Sequence, residues 1–227
     1  MEKPIIAASL KGLFIKSSPW IDAHILWYEE REKEIKTKKL DDSAIKEWRQ
    51  LLNSDPKEER KKYFRYVDRI MEVLYPNLPS DKRTEKAREL FFNATIEYIK
   101  QNPEVINKDI INYFQSLKKD YRLALITTNT SQALTSILKA SKLEKMFDII
   151  ESSKPNEKDD KKAVIDRFIK KYGKPLIYIG GSKKESYDYC KENNIPCIFA
   201  NFEHEEEIKD TKSVHNLKEL KQKINSL

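Results

Sequence analysis

The 227-residue chain carries 44 Lys+Arg against 37 Asp+Glu, is 39% hydrophobic and has only four glycines, where average usage near 7% would supply about sixteen. That scarcity excludes collagen-like, Gly-rich linker and Gly-studded dinucleotide-binding sequences, while nine Phe, three Trp and eleven Tyr exclude wholesale disorder. The excess of +7 is interleaved with acids (EEREKEIKTKK, KPNEKDDKK) rather than gathered into a stripe, so solvated helix faces are expected and nucleic acid is not.

In chain order, residues 4–10 (PIIAASL) form a short apolar run suited to a strand buried on both faces. From about Ser18 to Lys100 the pattern is helical. Ile21, Ile25 and Tyr28 share one spacing, and Ile45, Trp48 and Leu52 follow the start signal Asp41-Asp42-Ser43. Asp55-Pro56 opens a further helix with Tyr63, Val67, Ile70 and Leu74 on one face. Another begins near Ser80-Asp81 and carries Ala87, Leu90, Phe91, Ala94 and Tyr98. After Pro103, helix and strand alternate. Helices are predicted at 110–119, 131–140, 161–172, 186–193 and 217–224, and strands at 122–126, 147–150, 176–179 and 197–200. This grammar predicts an α/β fold, a Rossmann-like parallel sheet covered by helices on both faces. Residues 1–17 and 101–227 form that core, and 18–100 is an all-α bundle inserted after strand one.

Ligands of such sheets bind outside the carboxyl ends of the strands. There the sequence offers Ser9-Leu10-Lys11-Gly12-Leu13, Thr127-Thr128-Asn129, Ser152-Ser153-Lys154-Pro155, and Gly180-Gly181-Ser182-Lys183-Lys184-Glu185. Hydroxyls, an amide and lysines suit an anion such as phosphate, and the same residue types also suit ordinary turns.

This order of parts resembles the haloacid dehalogenase (HAD) superfamily, in the version with a helical cap after the first motif, and the resemblance spans essentially the whole chain. It implies a nucleophile and an acid/base in an Asp-x-Asp-Gly-Thr stretch after strand one, and magnesium held partly by a Gly-Asp-x-x-x-Asp stretch. At those places this chain has Ser9, Lys11 and Gly12, then Gly180, Gly181 and Glu185. Both first-motif carboxylates are absent, Gly181 stands for the first acid of the later motif, and Glu185 is a remnant of the second. The resemblance makes Thr127 the phosphoryl-binding hydroxyl, with Thr128 and Asn129 beside it. It makes Lys154 the motif lysine, with Lys161 or Lys162 as rival placements that spacing does not separate.

Magnesium prefers carboxylate ligation, and Lys11 puts a cation near its place. The expectation is therefore a protein that has lost magnesium-dependent phosphoryl transfer. It would need no cofactor and would bind a small phosphorylated ligand or a protein partner through Lys11, Gly12, Thr127, Thr128, Asn129 and Lys154. One alternative is a hydrolase working through Ser9 and Lys11, or through a cap acid such as Asp22 or Glu29, with magnesium only in that case. Another is a nucleic-acid or protein interaction module. Cys190 and Cys197, lacking a CxxC or His pair, read as reduced thiols of a cytoplasmic protein. MEKPIIAASL is too soon interrupted for a secretory segment, and no apolar run approaches the length of a membrane span. His24, His204 and His215 lack ligand spacing, so zinc is not expected.

Overall fold

The buried apolar runs become the strands of one parallel sheet. The computed structural model describes residues 3–37, 42–43, 46, 67, 70–155, 157, 159–182 and 184–226. They divide into two compact units, Met1–Ser17 with Asn102–Leu227, and Ser18–Gln101.

In the first unit the strands are β1 (Ile5–Ala8), β2 (Arg122–Thr130), β3 (Ile149–Ser153), β4 (Ile177–Gly180), β5 (Cys197–Ala200) and β6 (Lys212–Val214). Their order across the sheet is β3-β2-β1-β4-β5-β6, and every neighbouring pair is parallel. Strands buried on both faces explain why the runs read as continuously apolar rather than alternating. β2 continues four residues past the predicted end, so Thr127, Thr128 and Asn129 lie within the strand and not after it. Its pairing with β3 shifts register between Thr127 and Thr130. β6 escapes the sequence reading because Lys-Ser-Val is a three-residue edge strand with one fully buried side chain.

The first α-helix of this unit, numbered after two of the other unit, is α3 (Lys108–Leu117), which no side chain caps, whereas the next two are capped. Thr130 accepts a bond from the Ala133 N–H to open α4 (Ser131–Ser141). Asp160 does the same through the Ala163 N–H for α5 (Lys161–Tyr172), whose buried side chains are Lys161, Val164, Ile165 and Phe168. α6 (Lys184–Glu192) and α7 (Leu217–Ile224) follow. One core layer joins Ala7, Ala124, Ile126 and Tyr178 of the sheet to Val164, Ile165 and Phe168 of α5 and Tyr187 and Cys190 of α6.

The second unit contains α1 (Ser18–Thr37) and α2 (Ser80–Gln101). Trp27, Tyr28, Ile35, Ile70, Met71, Leu74 and Ala87 form its core, with Val67 packed against it. The buried face of α1 differs from the expected one: Trp20, Ala23, Trp27, Tyr28 and Arg31 face inward, and Ile25 is 40% exposed. The two tryptophans have more apolar surface to bury than the isoleucines, and they set the helix rotation. Ile45, Trp48, Leu52 and Tyr63 lie outside the described residues. Among the described residues, no helix is long and apolar enough to cross a membrane.

Candidate functional site

The carboxyl ends of β2, β1 and β4 lie side by side at the centre of the sheet. β1 ends in a tight turn. Phe14 and Ile15 N–H groups both donate to Leu10 O, and Gly12 N–H donates to Ile15 O at 2.7 Å. Gly12 has φ +76°, the left-handed region that glycine enters without strain. The turn lies flush on the tip of β4: a Cβ on Gly12 would stand 2.3 Å from Gly181 O, and one on Gly181 would stand 2.3 Å from Gly12 C. Gly181 is thus a packing residue. Backbone fills the space its side chain would need.

Ser9 is 8% exposed. Its N–H donates to Ile179 O at 2.9 Å. Its Oγ accepts from the Gly181 N–H at 3.1 Å and makes a long contact of 3.5 Å to Lys11 O. Lys11 is half-buried and bridges Ile15 through its backbone. Thr127, on the neighbouring strand, accepts from the Asn129 N–H at 3.2 Å and from Asn129 Nδ2 at 2.9 Å. Both side chains are buried, and Thr128 is half-buried.

Of the three candidate lysines, Lys161 is the one buried against the central strands. Lys154 is exposed, and its N–H donates to Glu157. Lys162 is half-buried and pairs with Glu192 at 3.8 Å. Lys161 is 6% exposed, and its ammonium donates to Ile126 O, the carbonyl just before Thr127. Ile126 lies one residue beyond the Ala8–Leu125 pair, which puts it level with Ser9. The same ammonium stands 5.7 Å from the centre of the Tyr178 ring. A signal for this was present in the sequence: positions 161, 164, 165 and 168 share one helix face, so Lys161 belongs with three apolar residues that must be buried.

Sequence reasoning also missed the hydroxyls beneath the β4 tip. Tyr178 is 1% exposed and Tyr187 fully buried. Gly180 makes room for both: a Cβ there would lie 2.7 Å from the Tyr187 hydroxyl and 3.3 Å from that of Tyr178. Burial pushes the Tyr178 pKa up, with the nearby Ser186 and Ser9 hydroxyls offsetting part of the effect. Burial also raises Tyr187, whose hydroxyl has no hydrogen-bond partner among the described residues. Glu185 is exposed in the first turn of α6.

The remaining candidates lie elsewhere. Asp22 is half-buried and Glu29 exposed on α1. His24 packs on the Phe91 ring at 4.4 Å within the helical unit. His204 and His215 stack on each other with centroids 6.1 Å apart. Cys190 and Cys197 are free thiols, and their mutual hydrogen bond, with burial, holds the Cys190 thiol protonated.

The parallel α/β sheet thus carries hydroxyls, an amide and a buried ammonium at its central strand ends. The chain belongs to the haloacid dehalogenase-like hydrolase family, whose model matches residues 35–200. That match begins after β1, so the correspondence of Ser9–Leu13 rests on the order of elements. Three solved structures have the same fold over nearly their whole length. A haloacid dehalogenase-like hydrolase from Streptococcus pneumoniae is 17% identical with a TM-score of 0.61, covering 98% of both chains. A HAD phosphatase from Thermococcus onnurineus is 13% identical with a TM-score of 0.62, covering 99% of this chain and 98% of its own. A HAD-hydrolase from Bacillus subtilis bound to magnesium is 12% identical with a TM-score of 0.59, covering 99% of this chain and 100% of its own. No curated protein matches the chain.

These findings correct two expectations. The reading of lost phosphoryl chemistry gives way to the hydrolase alternative, because the matching family is one of hydrolases and the neighbours are hydrolases and phosphatases. The expectation of no cofactor gives way as well, since a neighbour covering the whole fold carries magnesium.

Proposed function

We propose that the chain hydrolyses a phosphate ester, as a HAD-type phosphatase in which Ser9 and Lys11 stand where its relatives have carboxylates. One observation supports this above the others: Ser9 Oγ, the Thr127–Asn129 pair and the Lys161 ammonium gather at the ends of adjacent strands, all buried. Thr127, Thr128 and Asn129 hydrogen-bond the phosphoryl oxygens. Lys161 and Lys11 supply positive charge in a site of low dielectric, where it counts for more than in water. Ser9 Oγ attacks phosphorus, the ester P–O bond breaks, and the Ser9 proton leaves with the departing alcohol. Water then hydrolyses the seryl phosphate, returning Ser9 and inorganic phosphate.

Magnesium is the ion a magnesium-bound neighbour brings into consideration, and the residues present do not fit it well. Ser9 and Gly181 provide no charge, Glu185 is exposed, and among the described residues no three His, Cys, Asp or Glu side chains group to hold a metal. In this reading the helical unit Ser18–Gln101 is the cap that selects the substrate, a small phosphorylated molecule, and the free thiols suit a cytoplasmic enzyme.

The test is a phosphate-monoester screen with magnesium titrated from zero. Turnover abolished by Ser9→Ala and reduced by Lys11→Ala is expected. Turnover unchanged in both variants would remove Ser9 from the chemistry.

A further inference from the structure

Ser9 Oγ has one firm partner, the Gly181 N–H at 3.1 Å. A lone serine hydroxyl is a weak nucleophile, so what else holds this oxygen determines whether it can react. β1 and β4 are paired with Ala7 opposite Tyr178. Ser9 is two residues beyond Ala7, so its side chain leaves the sheet on the same face as that of Tyr178. Gly180 leaves open the space between them. The Tyr178 hydroxyl stands 3.3 Å from where a Gly180 Cβ would be, beside the very backbone whose next N–H bonds Ser9.

We propose that Tyr178 is the positioning residue for Ser9, its hydroxyl donating to Ser9 Oγ beside the Gly181 N–H so that two donors fix the oxygen and stabilise the negative charge it gains during attack. This rests on the phosphatase reading for its purpose, though not for its geometry. The Tyr178 hydroxyl has two serine hydroxyls near it, Ser186 and Ser9, and burial keeps its proton in place. Toward a Ser9 oxygen that gains negative charge it turns as a donor. Ser9 can turn its own proton toward Lys11 O, leaving its lone pairs for the two donors. The Lys161 ammonium, 5.7 Å from the centre of the Tyr178 ring, adds a positive field to the same side. The proton Ser9 gives up passes to the departing alcohol, and Tyr178 retains its own throughout. Tyr187, whose hydroxyl lacks a partner, is the built-in control.

The experiment has an arm that needs no substrate. Ser9→Cys is alkylated with iodoacetamide across the thiol titration range, with peptide mass locating the label at position 9. A hydrogen-bond donor favours the thiolate, so adding Tyr178→Phe should move the profile to higher pH. At a fixed pH below the midpoint, alkylation slows about tenfold, the weight of one bond to a charged group. Adding Tyr187→Phe instead should leave the profile in place. Superimposable profiles with and without Tyr178 overturn the proposal. In the turnover arm, Tyr178→Phe should lower kcat about tenfold with KM unchanged and the circular dichroism spectrum retained. Full kcat in Tyr178→Phe alongside a dead Ser9→Ala would also overturn it. A fully active Ser9→Ala would defeat the phosphatase reading through Ser9 instead, and the alkylation profiles would still decide whether Tyr178 holds position 9.

Discussion

The tips of β3 and of the β1–β4 pair treat polar groups in opposite ways. At β3, charges neutralise one another. Arg167 bonds Glu151 at 2.6 Å, Glu157 at 2.8 Å and Ser152 O at 2.7 Å, and Lys171 meets Glu151 at 2.9 Å. At the β1–β4 tip there is no such closure. Glycines press backbone on backbone, and hydroxyls gather beneath them with the Tyr187 oxygen unpaired. The first arrangement holds a loop in place, since each Glu151 oxygen already meets a cation and the charge is neutralised. The second leaves hydrogen-bonding capacity unspent beside Ser9. Glu151 and Glu157 are thus structural acids.

The comparison predicts a graded set of losses. Gly12→Ala meets both a positive φ and carbonyl oxygen at 2.3 Å, so thermal or urea unfolding should show destabilisation of about 3 kcal/mol or more. Arg167→Ala comes next, at about 2–3 kcal/mol, because it leaves the buried Glu151 with only Lys171. Near-wild-type stability in that variant would show the β3 charges to be ornamental.

The same network carries a pH dependence. Burial pushes the Glu157 carboxyl up, but the Lys154 N–H and Arg167 guanidinium outweigh it and leave the pKa below its ordinary value. A depressed carboxylate stabilises the fold above its unfolded pKa, and that contribution is lost as pH falls through the folded value. Unfolding midpoints should therefore drop below about pH 4.3 in the wild type and drop less steeply in Arg167→Ala.

Gly180→Ala has flexible side chains to push against rather than backbone, and about 1–2 kcal/mol is expected in the same assay. Tyr187→Phe should be the mildest, within about 1 kcal/mol and toward greater stability, since it removes an unsatisfied buried hydroxyl. A large loss there would mean that the hydroxyl has a partner after all.

Much of the sheet was readable because strands buried on both faces leave uninterrupted apolar runs and amphipathic helices separate them. CIFA and the 161–172 and 217–224 helices fall where the sequence puts them. The end of β2 was not readable, because Thr-Thr-Asn suits a turn as well as a strand and pairing with β3 decides between them. Position after apolar runs picks out Ser9, Thr127 and Asn129, and the structure buries all three at strand ends. The burial of Lys161 is less visible than the Lys154-Pro155 pair, because it shows only in helix periodicity. The Tyr178–Tyr187 cluster and the Gly12–Gly181 contact depend on packing across the fold, and no local pattern announces them.

That last contact has a consequence for how this site could change. Each glycine occupies the volume of the other's absent side chain, so the two positions are locked as a pair. An aspartate placed at Gly181 alone would have to displace the turn from Leu10 to Ile15 that follows Ser9. Any side chain at that strand tip therefore needs a matching change in a loop far away in the chain.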